Sequence, residues 1–298
     1  MNEKDQKKTE VICLGQAVID CIVRGREENP HKPNVYRAEN IILSTGGDAV
    51  NESFRLASLG HHVRLVCGVG DDLAGNILKD EAAKRGLDTS FMHVIPGMRT
   101  PVANLVVNKD GSRYSVNSTA TLLEGYVPSA EDVLGSKVVS FASLFRAPLD
   151  QKDVLLSLIR AAHEDGAVVC ADTKLPTFRY LDLDDLKEVL PFIDYLFPNE
   201  KEAEYYSGRQ DYPEMARAFR ERGVKNVILK TGPDGCYADT QEGIFILPPA
   251  AGKVVDTTGA GDSFVAGFIS ALLKEQSIRN CLESALESAA ECVSHMGA

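Results

Sequence analysis

The chain has 298 residues, 44% hydrophobic and 25% charged, enough to bury a sizeable core in one large α/β domain or two small ones. Its formal net charge of −11 argues against general binding to nucleic acid or anionic membranes. It leaves room for a phosphate held locally by backbone N–H groups and one or two basic side chains.

The start, MNEKDQKKTE, has no apolar segment after its charges and so reads as no secretory signal. Its first eight or nine residues are expected to be disordered. VICLG (11–15) is a buried strand ended by glycine. CIVRG (from 21) and VYRAENIIL (35–43) alternate apolar and polar residues, as strands with one wet face do. DAVNESFRLASLG (48–60) has helical spacing, VRLVCGVG (63–70) is a strand, and LAGNILKDEAAKRG (73–86) is a helix. PVANLVVNKDGSRYSV (101–116) reads as a hairpin about NKDG.

From Lys137 the rhythm is regular. KVVSFASL is a strand, QKDVLLSLIRAAHEDG a helix, AVVCAD a strand, LDDLKEVLP (183–191) a helix and DYLFPN a strand. Helices EKEAEYYSG and PEMARAFRERG precede the strand KNVILKTG. Two short strands, GCYAD and GIFIL, lead to the closing helices GDSFVAGFISALLKEQ and RNCLESALESAAECVSHMG. Alternating strands and helices imply a mostly parallel sheet covered on both faces. The half-wet strands near 18–44 and 97–118 break that rhythm and read as insertions forming a small separate sheet. No stretch reaches the roughly 18 apolar residues of a membrane span. The seven cysteines form no Cys-x-x-Cys pair and read as reduced, mostly buried thiols of a cytoplasmic protein.

Three constellations carry candidate chemistry. In STGGDAVN (44–51) the paired glycines either make a tight turn or let the backbone approach a small polar ligand, with Asn51 facing its hydroxyls. In FPNEKEAE (197–204), Asn199 and Glu202 open a helix three residues apart. They read either as a reciprocal N-cap or as a polar pair at the sheet edge, where a carboxylate could hold hydrated Mg²⁺. In DTTGAGDSF (256–264) small residues open a helix and expose N–H groups to an anion. Asp262 there either complements the helix dipole or does chemistry. No P-loop, Gly-x-Ser-x-Gly elbow or histidine metal spacing exists.

Taken together, these motifs resemble the ribokinase-like (PfkB) family of carbohydrate kinases. GGDAVN resembles its N-terminal glycine signature and DTTGAGDSF its more specific C-terminal one. GVGDDLAG, PNEKEAE, LGQAVID and LKTGPDG follow the family order over about residues 10–298. The resemblance implies one α/β domain over 1–298: a three-layer sandwich with a mostly parallel sheet and a small β-sheet lid. It implies a Mg²⁺- and ATP-dependent kinase acting on a hydroxymethyl group of a fructose-, ribose- or 2-keto-3-deoxygluconate-type sugar. Asp262 would be the general base, with the backbone of Gly259, Ala260 and Gly261 as anion hole. Asp20, Gly46, Gly47 and Asn51 would hold the sugar. Thr231, Gly232 and Gly235 would line the nucleotide site beside Asn199, and Glu202 would organise Mg²⁺ through water. Asp256 and Thr258 match positions that bind K⁺ in some members. In many relatives the lid also forms a homodimer interface. Asp48 stands where ribokinases proper have lysine, which weakens ribose as acceptor. The chain also ends at HMGA, earlier than relatives usually do, which bears on the adenine and cation sites. A nucleoside kinase of the same fold and a non-catalytic sugar sensor are the alternatives. Tyr36 and Tyr114 are candidate base-stacking residues for the former, although cross-strand packing suits them better. Arg99 could meet an acidic sugar, since a guanidinium suits a carboxylate, but reads better as a surface residue on the hairpin.

Overall fold

Strands that are apolar on both faces can persist only between two layers, and the computed structural model is built that way. It describes residues 9–295, apart from 33 and 111; the expected disordered start lies largely outside them. The chain opens with β1 (Val11–Leu14) and β2 (Val18–Glu28), then β3 (Tyr36–Arg37), β4 (Asn40–Gly46) and α1 (Asp48–Ser58). β5 (Val63–Gly70), α2 (Leu73–Lys84), β6 (Met92–Ile95), β7 (Val102–Asn108) and β8 (Arg113–Asn117) follow. The second half begins with β9 (Val138–Leu144), α3 (Lys152–Glu164), β10 (Val168–Thr173) and β11 (Tyr195–Phe197). It continues through α4 (Glu200–Ser207), α5 (Tyr212–Arg220), β12 (Val227–Lys230), β13 (Cys236–Thr240) and β14 (Gly243–Leu247), closing on α6 (Ala260–Leu273) and α7 (Ile278–Val293).

The larger sheet has the order β14-β13-β12-β11-β10-β9-β1-β5-β6. It is parallel from β6 to β12 and antiparallel across β12, β13 and β14. α1, α2, α6 and α7 bury one face, around Phe54, Leu78, Phe264, Phe268 and Leu282. α3, α4 and α5 bury the other, around Leu155, Ile159, Tyr206 and Phe219. The smaller sheet is the expected lid. β2 pairs antiparallel with β4 and parallel with β7, which forms the expected hairpin with β8. β2 leaves the core three residues after β1, so the lid grows directly from a central strand.

Two expectations change. Residues 183–191 are not an α-helix but turns running into a single 3₁₀ turn, Leu190–Phe192. Its bonds are mainly i to i+3, as from Val189 N to Leu186 O at 2.8 Å. Buried Leu183, Leu186 and Val189 recur every three residues, which is the 3₁₀ period. Asp182 and Asp185 close the turn by accepting each other's N–H at 2.8 and 3.0 Å. The second change is β6, an edge strand on β5 that the sequence reading left out.

Candidate active site

Parallel strands bring their C-terminal ends to one edge, where α/β folds bind ligands. Here β1, β9, β10, β11 and β12 deliver the loops that carry the polar residues. Asp262 lies in the first turn of α6 and is only 4% exposed. Asn51 on α1 donates Nδ2 to Asp262 Oδ2 at 2.8 Å, so this amide aims the carboxylate. Gly259 supplies the left-handed turn (φ 73°) that starts the helix. The Ala260 N–H donates to Thr257 O at 3.3 Å; the first-turn N–H groups beyond it have no acceptor within the helix.

A network that the motifs did not announce lies behind Asp262. Lys174, one residue past β10, places Nζ 3.2 Å from Asp48, 3.3 Å from Asp172 and 3.5 Å from Asp262. Burial alone would pull its pKa down, but the carboxylates Asp172, Asp48 and Asp262 outweigh that and hold it well above the ordinary value. Burial pushes Asp262 up to about 6; Lys174 and the Asn51 bond oppose the rise, while Asp48 and Asp172 add to it. Lys230 at the end of β12 pairs with fully buried Asp172 at 2.5 Å. Its Nζ lies 3.3 Å from where a Cβ on Gly261 would stand, placing an ammonium beside the helix N-terminus. Glu52, also fully buried, accepts from Ser140 Oγ at 2.6 Å, and burial drives its pKa well up. Glu52, Asp172 and Asp262 present oxygens within 4.8 Å of one another.

Asn199 and Glu202 form the reciprocal cap. Asn199 Oδ1 accepts the Glu202 N–H at 3.0 Å and Glu202 Oε2 accepts the Asn199 N–H at 2.9 Å. Thr173 Oγ1 donates to the same Glu202 oxygen at 2.9 Å. Burial raises the Glu202 pKa, helped by Asp172 and opposed by Lys230 and Lys174. The all-oxygen donor set of Asn199, Glu202 and Thr173 is chemistry that fits Mg²⁺.

A cavity of about 170 Å³ has a polar lining that includes Gln16, Asp20, Asp48, Asn117, Arg146 and Asp150. Gly46 and Gly47 shape it by close approach. A Cβ on Gly46 would collide with the Asp20 carboxylate, and one on Gly47 (φ 97°) with the Gln16 carbonyl. Burial, reinforced by Asp48, pushes Asp20 up to about 6. On the far side, Thr231 is buried, and Gly235 (φ 93°) turns so tightly against the Leu247 carbonyl that no side chain fits. Gly232 also has positive φ. Asp256 accepts from Thr258 N and Oγ1 at 3.0 and 2.8 Å and from Arg24 of the lid at 3.0 Å. With that guanidinium in place, these residues do not fit a resident K⁺. Tyr36 and Tyr114 lie within 4.3 and 5.5 Å of the Arg26 guanidinium, giving both a partner inside the lid. Arg99 is exposed, as expected.

Residues 8–298 match the model of the pfkB family carbohydrate kinases. The chain is 26% identical to a ribokinase of Haemophilus influenzae over 87% of its length and 84% of the relative's. It is 28% identical to a cytidine kinase of Thermococcus kodakarensis, over 86% and 90%. A structure of Arabidopsis thaliana ribokinase complexed with ribose and ATP superposes with a TM-score of 0.83 at 24% identity, covering 98% of this chain and 94% of that one. The chain belongs to the pfkB family of carbohydrate kinases, ATP-dependent phosphotransferases that act on an alcohol of a sugar or nucleoside.

Proposed function

We propose that this kinase phosphorylates a hydroxymethyl group of a small sugar. The observation that carries the reading is the placement of Asp262 in the first turn of α6, aimed by Asn51 and linked through Lys174 to Asp48 in the cavity wall. The acceptor hydroxyl attacks the terminal phosphorus of ATP in line, its proton passes to Asp262, and ADP leaves. Phosphoryl transfer rests on alignment and charge stabilisation more than on covalent catalysis. The free N–H groups opening α6 suit the equatorial oxygens, with Lys230 adding positive charge beside them. Mg²⁺ bound near Glu202 would supply further charge neutralisation to the phosphates.

Ribose-, fructose- and 2-keto-3-deoxygluconate-type sugars are all within reach of the family. Asp20, Asp48 and Asp150 in the cavity wall can accept from the hydroxyls of a neutral sugar, while Arg146 in the same wall, Lys174 beside Asp48 and Arg179 beside Asp150 offset their charge. A nucleoside acceptor is the second reading, supported by the similarity to a cytidine kinase and by Phe145 and Phe178 in the cavity wall. K⁺ is not needed to neutralise Asp256, since Arg24 does so. We place the enzyme in the cytoplasm on its seven free cysteines; no described helix is long and apolar enough to cross a membrane. We also propose a homodimer through the lid, whose β4 leaves Ile41 and Leu43 63% and 65% exposed.

The test is Asp262→Asn, assayed for ADP formation against ribose, fructose, 2-keto-3-deoxygluconate and nucleosides. The expected result is a loss of kcat of at least about a hundredfold, with acceptor affinity little changed. Near-wild-type turnover would remove Asp262 from the mechanism. Absence of ADP formation by the wild type, with acceptor binding intact, would favour a sugar sensor.

A further inference from the structure

Arg24 belongs to no motif in the chain, yet it is the residue through which the lid touches the phosphate side of the site. It sits on β2 four residues after Asp20. Alternate residues of a strand share a face, so the two project from the same side. Directly after Arg24 the ladder with β7 shifts register, and Gly25 takes φ 67°. A bulge of this kind bends the strand and re-aims its side chains. The two arginines flanking Gly25 then diverge. Arg26 stays in the lid between Tyr36 and Tyr114. Arg24 crosses to the base of the site and gives Nη2 to Asp256 Oδ2 at 3.0 Å. The other oxygen of Asp256 orders Thr258, the residue before Gly259. Arg24 Nε is buried and makes no hydrogen bond among the described residues. A buried guanidinium donor without an acceptor is costly unless a ligand completes it. Lys174 and Lys230, the two lysines of the network behind Asp262, are already engaged by buried carboxylates.

We propose that Arg24 is a phosphate-binding catalytic residue carried by the lid. One edge of its guanidinium is anchored on Asp256, and its Nε donates to an oxygen of the terminal phosphoryl group of the nucleotide. The inference rests on the kinase reading above. Its chemistry follows from the planar fork of arginine, which can hold a carboxylate and a phosphate at once, whereas a lysine ammonium cannot span both in fixed geometry. Because Asp20 and Arg24 share one strand, the strand that grips the acceptor also brings a positive charge to the donor.

Calorimetric titration of the wild type, Arg24→Ala and Arg24→Lys with Mg-ADP and a non-hydrolysable Mg-ATP analogue tests this without needing the acceptor. Arg24→Ala should lose at least about tenfold of its affinity for the triphosphate while its ADP affinity stays within about threefold. Arg24→Lys should recover only part of that preference. Once an acceptor is known, kcat should fall about a hundredfold or more, and millimolar guanidinium should restore part of it in Arg24→Ala. An unchanged triphosphate preference in the variants overturns the inference alone. So does an equal loss of both nucleotides, which would make Arg24 only a strap for the Asp256 loop. Should Arg24→Ala fail to fold, Arg24→Gln keeps an N–H donor without the charge and gives the same comparison. Wild-type protein that binds neither nucleotide overturns the kinase reading and this inference together.

Discussion

At the residue scale the site is governed by an excess of buried carboxylates over cations. As the proposed base, Asp262 would act only when ionised, and burial pushes its pKa up to about 6. kcat/KM should therefore fall as pH drops below about 6, where Asp20 also takes up a proton, and level off above it. Asp48 is one of the like charges raising Asp262, and it also holds Lys174, whose charge lowers Asp262. Removing the Asp48 charge acts on both terms in one direction, so Asp48→Asn should move the acidic limb to lower pH; a limb that stays in place would refute the coupling. The linkage to stability has the opposite sense. A carboxyl whose folded pKa is raised above its usual value near 4 binds its proton more tightly when folded, so its contribution to stability declines as pH rises from about 4 to 6. Asp262 and its glycines were legible because small residues and an acid at a helix start form a local pattern. Lys174 and Asp172 were not, because their meaning comes from partners far along the chain: 126 residues separate Lys174 from Asp48, and 88 separate it from Asp262.

At the element scale the site depends on how tightly loops turn. Gly46 has no room for a methyl group because the Asp20 carboxylate lies against it. Gly46→Ala should push Asp20 aside and raise the acceptor KM about tenfold or more, with nucleotide affinity unchanged, on the scale of one lost charged hydrogen bond. Equal loss at both substrates would mean that the lid itself had been disturbed. The Asn199–Glu202 pair shows how one local pattern can serve two readings. Its capping bonds are formed, yet Glu202 is also buried beside Asp172 and Lys230, so the cap places a carboxylate where phosphates would lie. The strand and helix alternation was readable because buried parallel strands are apolar throughout. The stretch at 183–191 misled because an apolar spacing of three can be extended to helical spacing by eye, while the aspartate pair at its start favours a tighter turn.

At the scale of the whole molecule, the lid is a small sheet with apolar residues open to solvent. Ile41 and Leu43 on β4 and Val116 on β8 are more than half exposed, and exposed apolar sheet edges are where chains associate. The double variant Ile41→Lys, Leu43→Lys should sediment as a monomer, while the wild type sediments as a dimer. A wild-type monomer would remove the lid interface. The chain's ordering has a different consequence. β1, the first strand made, lies inside the sheet between β5 and β9, while Asp262 arrives with the penultimate helix and meets Asn51 across 211 positions of sequence. Contacts of such separation form late, because the loop between them must first be closed. The proposed base is thus expected to meet its partner late in folding. A chain shortened before α6 lacks the proposed base and the two helices that help cover one face of the larger sheet, so no such fragment should carry a working reaction centre.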